Sequence, residues 1–164
     1  MTILVAGIGN VFLGDDGFGV EVATLLLARS RPEWLVVGDF GVRGFDLAYA
    51  LMDPKHEGAV LVDLVSRGLA PGTLSVIEPV LDDPAGEPTF DAHTMTPENV
   101  LALVRVLGGA PPPLRIVGCE PLTVGLDEDV FVGLSERVRA AIEPAARLAL
   151  DVAESLRAEV PRRA

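Results

Sequence analysis

The alternation of short apolar runs with longer segments of helical periodicity constrains the fold of this chain more than any other feature of its sequence. Four β-branched or aliphatic runs predict buried strands, at residues 2–6, 34–37, 58–62 and 114–117. Helical patterns lie between or after them, at residues 17–28, 44–51, 96–107 and 135–156. Strands that alternate with helices form a mostly parallel sheet covered on both faces, so an α/β fold is predicted.

Three local features refine this prediction. Residues 73–80 mix polar and apolar side chains, which predicts a fifth strand near an edge of the sheet. Thr96 is a suitable cap, and Pro97 a suitable first residue, for the helix that follows. Pro144 lies inside the last helical pattern, where its ring is expected to kink or split the helix.

Length and composition indicate one folded domain with an acidic surface. The 164 residues fit a single domain, placed at residues 1–160, and residues 161–164 are expected to fray. A hydrophobic fraction of 49% excludes a wholly disordered chain. With 13 basic and 24 acidic residues the net charge is −11. That charge argues against nucleic acid and anionic membranes as partners and favours a basic segment or a cation.

Cysteine content and the lack of long apolar runs bear on redox state and location. A single cysteine, Cys119, excludes an internal disulfide and a thiolate-rich zinc site. No apolar run approaches the roughly 20 residues of a membrane-spanning helix. The first residues enter a strand pattern without a basic leader region. These observations lead us to expect a cytoplasmic protein.

Acidic side chains recur at the carboxyl ends of the predicted strands. In an open parallel sheet, functional sites form at this edge because the loops after the strands converge there. The residues that follow the five strands in this way are Asp15, Asp16, Asp39, Asp63, Asp91, His93, Cys119 and Glu120. Two carboxylates and an imidazole, such as Asp16, Asp63 and His93, suit a borderline divalent ion such as nickel or zinc.

The consecutive Asp15 and Asp16 lie between two glycines at the start of the first helical pattern. Either one is a candidate to cap the helix over residues 17–28. Two aspartates exceed what a cap requires, so we expect one to bond the backbone and the other to face a ligand. The positive end of the helix dipole favours the ionised carboxylate, which is the form that binds metal ions.

The other residues at this edge have ordinary interpretations that compete with functional ones. Asp63 is either a solvated strand end or a site residue, and Asp39 either assists the site or caps the turn after its strand. His93 is the stronger candidate of the two histidines because its loop is expected to return to the same edge. His56, between two charged residues, is interpreted as an unremarkable histidine. Cys119 is expected to be a buried, inert thiol.

Several common site classes lack their sequence signatures. A dinucleotide fingerprint G-x-G-x-x-G starting at Gly7 needs glycine at position 12, where the chain has Phe12. The adjacent aspartates would also repel a pyrophosphate at that helix terminus. The chain has no P-loop motif, no G-x-S-x-G elbow and no H-E-x-x-H motif, so P-loop, serine-hydrolase and zincin functions are unsupported.

The glycine-rich turn and the acidic residues resemble the hydrogenase maturation proteases, endopeptidases that trim the C-terminus of nickel-iron hydrogenase large subunits. Residues 7–20, GIGNVFLGDDGFGV, closely resemble the opening motif of that family. Weaker matches follow in the same order along the chain: residues 39–47, residues 61–63, residues 70–72, His93 and residues 133–138. Phe40 and Val42 replace a glycine and a threonine of the family pattern, and Ser66 replaces a frequent aspartate.

The resemblance implies a single three-layer α/β/α domain around a twisted five-stranded sheet. It also implies that Asp16, Asp63 and His93 are the catalytic, metal-contacting residues. The family position that matches Asp16 is often glutamate, and aspartate keeps the same chemistry with a shorter reach. The departures at Phe40 and Val42 concern the substrate groove more than the fold.

The resemblance implies a nickel-loaded hydrogenase large-subunit precursor as partner, with the nickel supplied by that substrate. The expected activity is metal-dependent removal of the precursor's C-terminal extension, and a monomer is the expected state. Two alternatives stay open. The chain is equally suited to be a non-catalytic checkpoint or chaperone that binds the precursor through the same ligands, and a nucleotide-binding α/β domain is a lesser possibility.

Overall fold

A computed structural model describes residues 1–80, 95–122 and 132–160 of the chain. The tail at residues 161–164, together with Asp91 and His93, lies outside the described residues. The elements in chain order are β1 (Thr2–Ile8), a 3-10 turn (Asp15–Gly17), α1 (Phe18–Leu27), β2 (Leu35–Gly41), α2 (Gly44–Met52), β3 (His56–Leu64), β4 (Leu74–Ile77), α3 (Pro97–Val106), β5 (Leu114–Cys119), α4 (Glu136–Ala140) and α5 (Ile142–Glu159).

The five strands form one sheet in the order β2-β1-β3-β5-β4. The pairs β1–β2, β1–β3 and β3–β5 are parallel, and β4 runs antiparallel to β5 at the edge. The predicted mostly parallel sheet and the predicted position of the fifth strand are therefore confirmed. The parallel strands carry their carboxyl ends to one common edge, which we call the carboxyl edge.

Helices cover both faces of the sheet, as the alternation of elements requires. On one face, α1 and α5 pack through residues such as Phe18 and Leu156. On the other face, α2 and α3 pack through residues such as Leu47 and Val104. The central strand β3 is apolar and fully buried over residues 59–62, because both of its faces are covered. Among the helices of the described residues, none combines the length and the apolar character needed to cross a bilayer.

Two of the differences between predicted and observed boundaries concern residues that the sequence analysis singled out. Strand β2 continues to Gly41, four residues beyond its predicted end, so Asp39 belongs to the strand and not to the turn after it. The last helical pattern does split, but the break is at Ala141. Pro144 lies in the first turn of α5, where a backbone N–H has no partner within the helix and proline is tolerated.

The start of α3 follows the prediction from sequence. Pro97 is its first residue, and the Oγ1 of Thr96 accepts a hydrogen bond from the backbone N–H of Asn99 at 3.3 Å. This cap satisfies one of the N–H groups that a helix terminus leaves without a partner. Helix α3 ends where the parallel strand β5 begins, at the amino edge of the sheet, so its first residues lie toward the carboxyl edge.

Helix α1 packs directly against the backbone of the sheet. A Cβ atom at Gly19 would lie 2.1 Å from the carbonyl oxygen of Val62 and 2.3 Å from that of Ile8. A Cβ atom at Gly7 would lie 2.2 Å from the carbonyl oxygen of Gly19. The first turn of α1 therefore contacts the ends of β1 and β3 with no side chain between them.

We expect the Gly19→Ala substitution to destabilise the fold by more than about 2 kcal/mol, near the upper part of the range for overpacked cores. Helix propensity alone predicts the opposite sign, a gain of about 1 kcal/mol. Urea denaturation measures the difference. Thr24→Ala, at an exposed position of the same helix, is the matched control and should change stability by less than about 0.5 kcal/mol. A Gly19→Ala variant as stable as the wild type would contradict the contact.

Candidate functional site

Two carboxylates meet at the carboxyl edge, one from the turn after β1 and one from the end of β3. The Oδ2 of Asp16 accepts a hydrogen bond from the backbone N–H of Asn10 at 2.9 Å. The Oδ1 of Asp63 accepts one from the N–H of Leu64 at 2.8 Å. The two groups are close enough that the charge of Asp16 raises the pKa of Asp63. We call Asp16 and Asp63 the acidic pair.

The pKa values of both members of the acidic pair are raised. Asp63 is only 4% exposed, and its burial raises its pKa well above the usual value. The hydrogen bond from Leu64 opposes that shift, while the charges of Asp16 and Glu98 add to it. Burial also raises the pKa of Asp16, against the lowering effect of the hydrogen bond from Asn10. A cation beside the pair would stabilise the ionised forms of both carboxyl groups.

Asp15 has a structural position that differs from that of its neighbour. It is 1% exposed and accepts hydrogen bonds from the N–H of Leu122 at 2.9 Å, the N–H of Ser135 at 2.6 Å and the Oγ of Ser135 at 3.0 Å. These bonds connect the 3-10 turn to the residue range after β5 and to the start of α4. Asp15 therefore holds distant segments together at the carboxyl edge.

The prediction that Asp15 or Asp16 caps the first helix is wrong. Gly17 is the residue before α1, and no side chain accepts a hydrogen bond at that helix terminus among the described residues. The reason is geometric, since the 3-10 turn directs Asp15 toward α4 and Asp16 back toward Asn10. Both aspartates accept hydrogen bonds from the backbone, and the expectation that one of them faces a ligand stays a prediction.

Asp39 reaches the same edge from β2, in register with Gly7 of β1. Its Oδ1 atom is buried and has no hydrogen-bond partner among the described residues. That oxygen therefore does not cap the turn after β2. A Cβ atom at Gly41 would lie 3.7 Å from this oxygen and 3.8 Å from the carbonyl oxygen of Gly9. The missing side chain of Gly41 thus leaves a gap bordered by two hydrogen-bond acceptors.

Cys119 is a buried thiol at the end of β5, as expected, and His56 lies at the opposite edge of the sheet. Burial, with the charges of Asp15 and Glu120, raises the pKa of Cys119 to about 12, so the thiol stays protonated and weakly nucleophilic. His56 begins β3 at the opposite edge of the sheet, where its Nδ1 lies 2.7 Å from the Oγ1 of Thr2. Burial lowers the pKa of His56, which favours the neutral ring.

Glu120 has a role that the sequence analysis did not assign. Its carboxylate is 7% exposed and accepts hydrogen bonds from the N–H groups of Arg67 at 2.8 Å and Gly68 at 3.1 Å. It therefore fixes the segment between β3 and β4. No local pattern in the sequence signals this, because the partners lie more than 50 residues away in the chain.

The acidic pair supplies two of the three predicted metal-contacting residues. Within residues 1–80, 95–122 and 132–160, no three histidine, cysteine, aspartate or glutamate side chains form a group that could hold a metal ion. His93 lies outside those ranges, and its role stays a prediction. The first turn of α3, shortly after it in the chain, is near the pair, because the charge of Glu98 raises the pKa of Asp63.

A sequence profile described as hydrogenase maturation protease matches residues 20–152, which is most of the chain. The chain belongs to the hydrogenase maturation protease family. It is 37% identical over 124 residues to the hydrogenase expression/formation protein HupM of Azotobacter chroococcum mcd 1. That match covers 73% of this chain but 57% of the relative, so the chain spans little more than half the length of this relative.

Solved structures of the maturation protease family share the fold. The hydrogenase maturating endopeptidase HybD of E. coli is 28% identical, with a TM-score of 0.71 over 94% of this chain and 93% of that one. The hydrogenase 2 maturation peptidase of Thaumarchaeota archaeon SCGC_AB-539-E09 is 31% identical, with a TM-score of 0.69 over 93% and 97%. The α/β fold predicted from the resemblance is therefore confirmed.

We expect the neighbouring aspartates to differ sharply in what they contribute to stability. Asp15→Ala leaves the backbone donors of Leu122 and Ser135 without their acceptor and should cost about 2–6 kcal/mol, since each buried donor left unsatisfied costs about 1–3 kcal/mol. Asp16→Ala removes one hydrogen bond but also a partly buried charge, so its cost should stay below about 1 kcal/mol. Urea denaturation of both variants measures the contrast, and equal losses would contradict it.

We expect Asp63→Asn to stabilise the protein at neutral pH. The folded-state pKa of Asp63 is raised, so the native state binds the proton of this group more tightly than the unfolded state does. The free energy of unfolding therefore falls as the pH rises from the unfolded-state pKa to the folded-state pKa of Asp63. Asparagine keeps the acceptor for Leu64 and carries no charge. Each 1 kcal/mol gained should raise the melting temperature by about 2–4 °C.

Thermal melts of wild type and Asp63→Asn, recorded from pH 3 to pH 8, measure this effect. The two curves should coincide in acid, where the carboxyl group is protonated in both states, and should diverge as pH rises. Asp151→Asn, at an exposed position of α5, is the matched control and should leave the profile unchanged. An Asp63→Asn variant that is less stable than the wild type at pH 7 would show that the buried charge is favourable.

Proposed function

We propose that this chain is an endopeptidase that removes a C-terminal extension from a nickel-loaded hydrogenase large-subunit precursor. The observation that carries the proposal is the acidic pair, Asp16 and Asp63, at the carboxyl edge of a chain that belongs to the maturation protease family. The similar solved structures are described as an endopeptidase and a maturation peptidase. The nickel ion belongs to the substrate in this proposal.

The chemistry of the acidic pair supports recognition of a divalent ion. A buried and a partly buried carboxyl group with raised pKa values repel one another when both are ionised, and an ion between them removes that repulsion. The Oδ1 of Asp63 accepts the hydrogen bond from Leu64, so a proton on this group belongs on Oδ2. An ion at the acidic pair would favour the deprotonated form of Asp63, because metal ions bind carboxyl groups as carboxylates.

A third ligand is proposed from the segment before α3. Met95 packs against the start of α2, since a Cβ atom at Gly44 would lie 3.2 Å from its Sδ. Glu98 influences Asp63 through its charge. These contacts support His93 as the imidazole ligand that joins the acidic pair. Two carboxylates and one imidazole fill only part of the coordination of nickel, and the precursor would supply the rest.

The proposed reaction is hydrolysis of one peptide bond in the precursor. The oxygen of a water molecule joins the carbonyl carbon, the C–N bond breaks, and the leaving amine takes a proton. Substrate nickel either polarises the carbonyl group or activates the water. The contribution of Asp16, Asp63 and His93 is to fix the metal site of the precursor, and with it the scissile bond, in one position.

Processing of a nickel-loaded precursor, followed by mass spectrometry, tests the proposal. Wild type should convert the precursor to two products whose masses sum to that of the precursor plus one water. Asp16→Asn, Asp63→Asn and His93→Ala should each lower the rate by about a hundredfold or more, as expected when a positioning group is lost. Circular dichroism should show that all three remain folded.

Matched controls separate the site from general effects of substitution. His56→Ala changes the only other histidine, at the opposite edge, and Asp151→Asn changes an exposed carboxylate on α5. Both should process the precursor at the wild-type rate. An unchanged precursor mass with wild-type protein, together with stable binding, would favour the non-catalytic checkpoint or chaperone. Normal cleavage by the three site variants would refute their proposed role.

A further inference from the structure

Three carboxyl groups are buried among the described residues, and only Asp63 belongs to the acidic pair. The other two are Asp15, in the 3-10 turn after β1, and Glu120, the first residue after β5. Both are at the carboxyl edge, where the parallel strands β1, β3 and β5 end. A buried carboxylate is costly unless hydrogen-bond donors replace the water around it, so the donors identify the segments that these two residues hold.

The carboxylate of Glu120 holds the start of the segment that leads from β3 to β4. Its Oε2 accepts a hydrogen bond from the N–H of Arg67 at 2.8 Å, and its Oε1 accepts one from the N–H of Gly68 at 3.1 Å. Both oxygens of this side chain are therefore bonded to the backbone of one short segment.

The main chain of Glu120 holds the other end of the same segment. Its N–H donates to the carbonyl of Thr73 at 2.9 Å, and its carbonyl accepts a hydrogen bond from the N–H of Gly72 at 2.8 Å. A single residue after β5 is thus bonded to both ends of the segment over residues 65–73, which we call the β3–β4 loop.

The β3–β4 loop begins two residues after Asp63. Leu64 donates the hydrogen bond that the Oδ1 of Asp63 accepts, and the next residue, Val65, donates to the carbonyl of Cys119 at 3.0 Å. Glu120 follows Cys119, so the backbone after Asp63 is bonded step by step to the end of β5. A displacement of the loop would therefore move the N–H group that orients the carboxyl group of Asp63.

Asp15 connects the other member of the acidic pair to the same part of the chain. Its Oδ2 accepts a hydrogen bond from the N–H of Leu122 at 2.9 Å. Asp15 and Asp16 are adjacent in the 3-10 turn. Residues 120–122, which we call the connector, are thus bonded both to the turn that carries Asp16 and to the β3–β4 loop.

We propose that the connector positions the acidic pair for the reaction, with Glu120 and Asp15 as its positioning residues. Through the connector these two carboxylates hold the turn with Asp16 and the loop after Asp63 at a fixed separation, which the metal ion of the substrate has to span. In this proposal neither Glu120 nor Asp15 contacts the substrate. The inference rests on the proposed function and adds the groups that keep its two carboxylate ligands at a fixed distance.

The acidic pair needs such positioning because it has few bonds of its own. Among the described residues, Asp16 and Asp63 each accept one hydrogen bond, and each donor is a backbone N–H close in the chain. The two groups repel one another when both are ionised, and segments that were free to separate would relieve that repulsion. A misplacement of about 1 Å can cost about a hundredfold in rate, so a fixed separation matters for the reaction.

A double-mutant cycle on the dissociation constant of the nickel-loaded precursor tests the proposal. Glu120→Ala should weaken binding about tenfold, within the range of coupling between residues of one hydrogen-bond network. In the Asp63→Asn background the same change should weaken binding less than twofold, because the group that Glu120 positions has already lost its charge. A merely structural role of Glu120 would weaken binding by the same factor in both backgrounds and would overturn the proposal.

A conservative variant keeps the test decisive if Glu120→Ala does not fold. Glu120→Gln retains one acceptor oxygen for two N–H groups, so it should weaken binding about threefold, and this loss should disappear with Asp63→Asn. No loss of affinity in either background would overturn the role of Glu120. Ile3→Val is the matched control, because Ile3 is buried where β1 begins, at the opposite edge. It should lower the melting temperature and leave the dissociation constant unchanged.

Asp15 is tested by the corresponding cycle on its side of the connector. Asp15→Asn keeps one acceptor oxygen and should weaken precursor binding several-fold in the wild-type background. Combined with Asp16→Asn, it should have less than a twofold effect, because the positioned carboxylate is then absent. Equal losses in both backgrounds would overturn the positioning role of Asp15.

Amide hydrogen exchange of the free protein gives a readout that needs no precursor. Glu120→Gln should accelerate exchange at the N–H of Leu64 about tenfold and leave exchange at Ala153, in the middle of α5, unchanged, because the β3–β4 loop opens locally. Equal acceleration at both amides would indicate general destabilisation and would overturn the positioning role.

The outcomes separate this inference from the proposed function. If the wild type binds the precursor without cleaving it, the proposed endopeptidase activity fails, and the two cycles still decide the role of the connector. If cleavage is normal but the effects of Glu120 and Asp15 do not depend on the acidic pair, only the positioning role is refuted. If the precursor does not bind the wild type at all, both proposals fail.

Discussion

The close approach of α1 to the ends of β1 and β3 is the contact on which the site depends. Three glycines make it possible, because backbone atoms occupy the space where their side chains would be. Gly7 and Gly19 let the helix touch the strands directly, and a Cβ atom at Gly9 would lie 1.8 Å from the carbonyl oxygen of Asp16. Gly9 also has a φ of 133°, which side chains disfavour. The turn therefore folds back on β1 and brings Asp16 beside Asp63.

The same packing explains the electrostatics of the acidic pair. Helix and strands that touch through their backbones leave little room for water, so Asp63 is desolvated at the end of an apolar strand. Other groups hold this edge of the sheet together. Asp15 bonds Ser135 at the start of α4, and Glu120 bonds the segment after β3. These two carboxylates join separate segments at this edge, whereas Asp16 and Asp63 each accept a backbone hydrogen bond from a residue close in the chain.

Most of the fold was predictable from local sequence, and the site only in part. The strand and helix patterns, the edge position of β4 and the cap at Thr96 depend on short-range periodicity and on residues within one turn of each other. The proximity of Asp16 and Asp63 follows from the parallel sheet, because consecutive strands deliver their ends to one edge. The role of Asp15 was not predictable, since its partner Ser135 lies 120 residues away. The capping prediction failed for a related reason: Asp15 bonds the distant Ser135, and Asp16 bonds Asn10 in the preceding turn.

The aspartates at this edge therefore differ in how far the fold compensates their burial. Asp15 is fully provided with donors, and its burial is compatible with a carboxylate because those donors replace water. Asp63 has one backbone donor and two acidic neighbours, Asp16 and Glu98, so its burial is not compensated within the described residues. An uncompensated carboxyl group beside a second one is stabilised best by a cation. On the proposed function that cation arrives with the precursor. The burial of Asp63 is then compensated only when a metal-loaded substrate is bound. On that proposal, selectivity for the metal-loaded precursor follows from electrostatics and needs no conformational change.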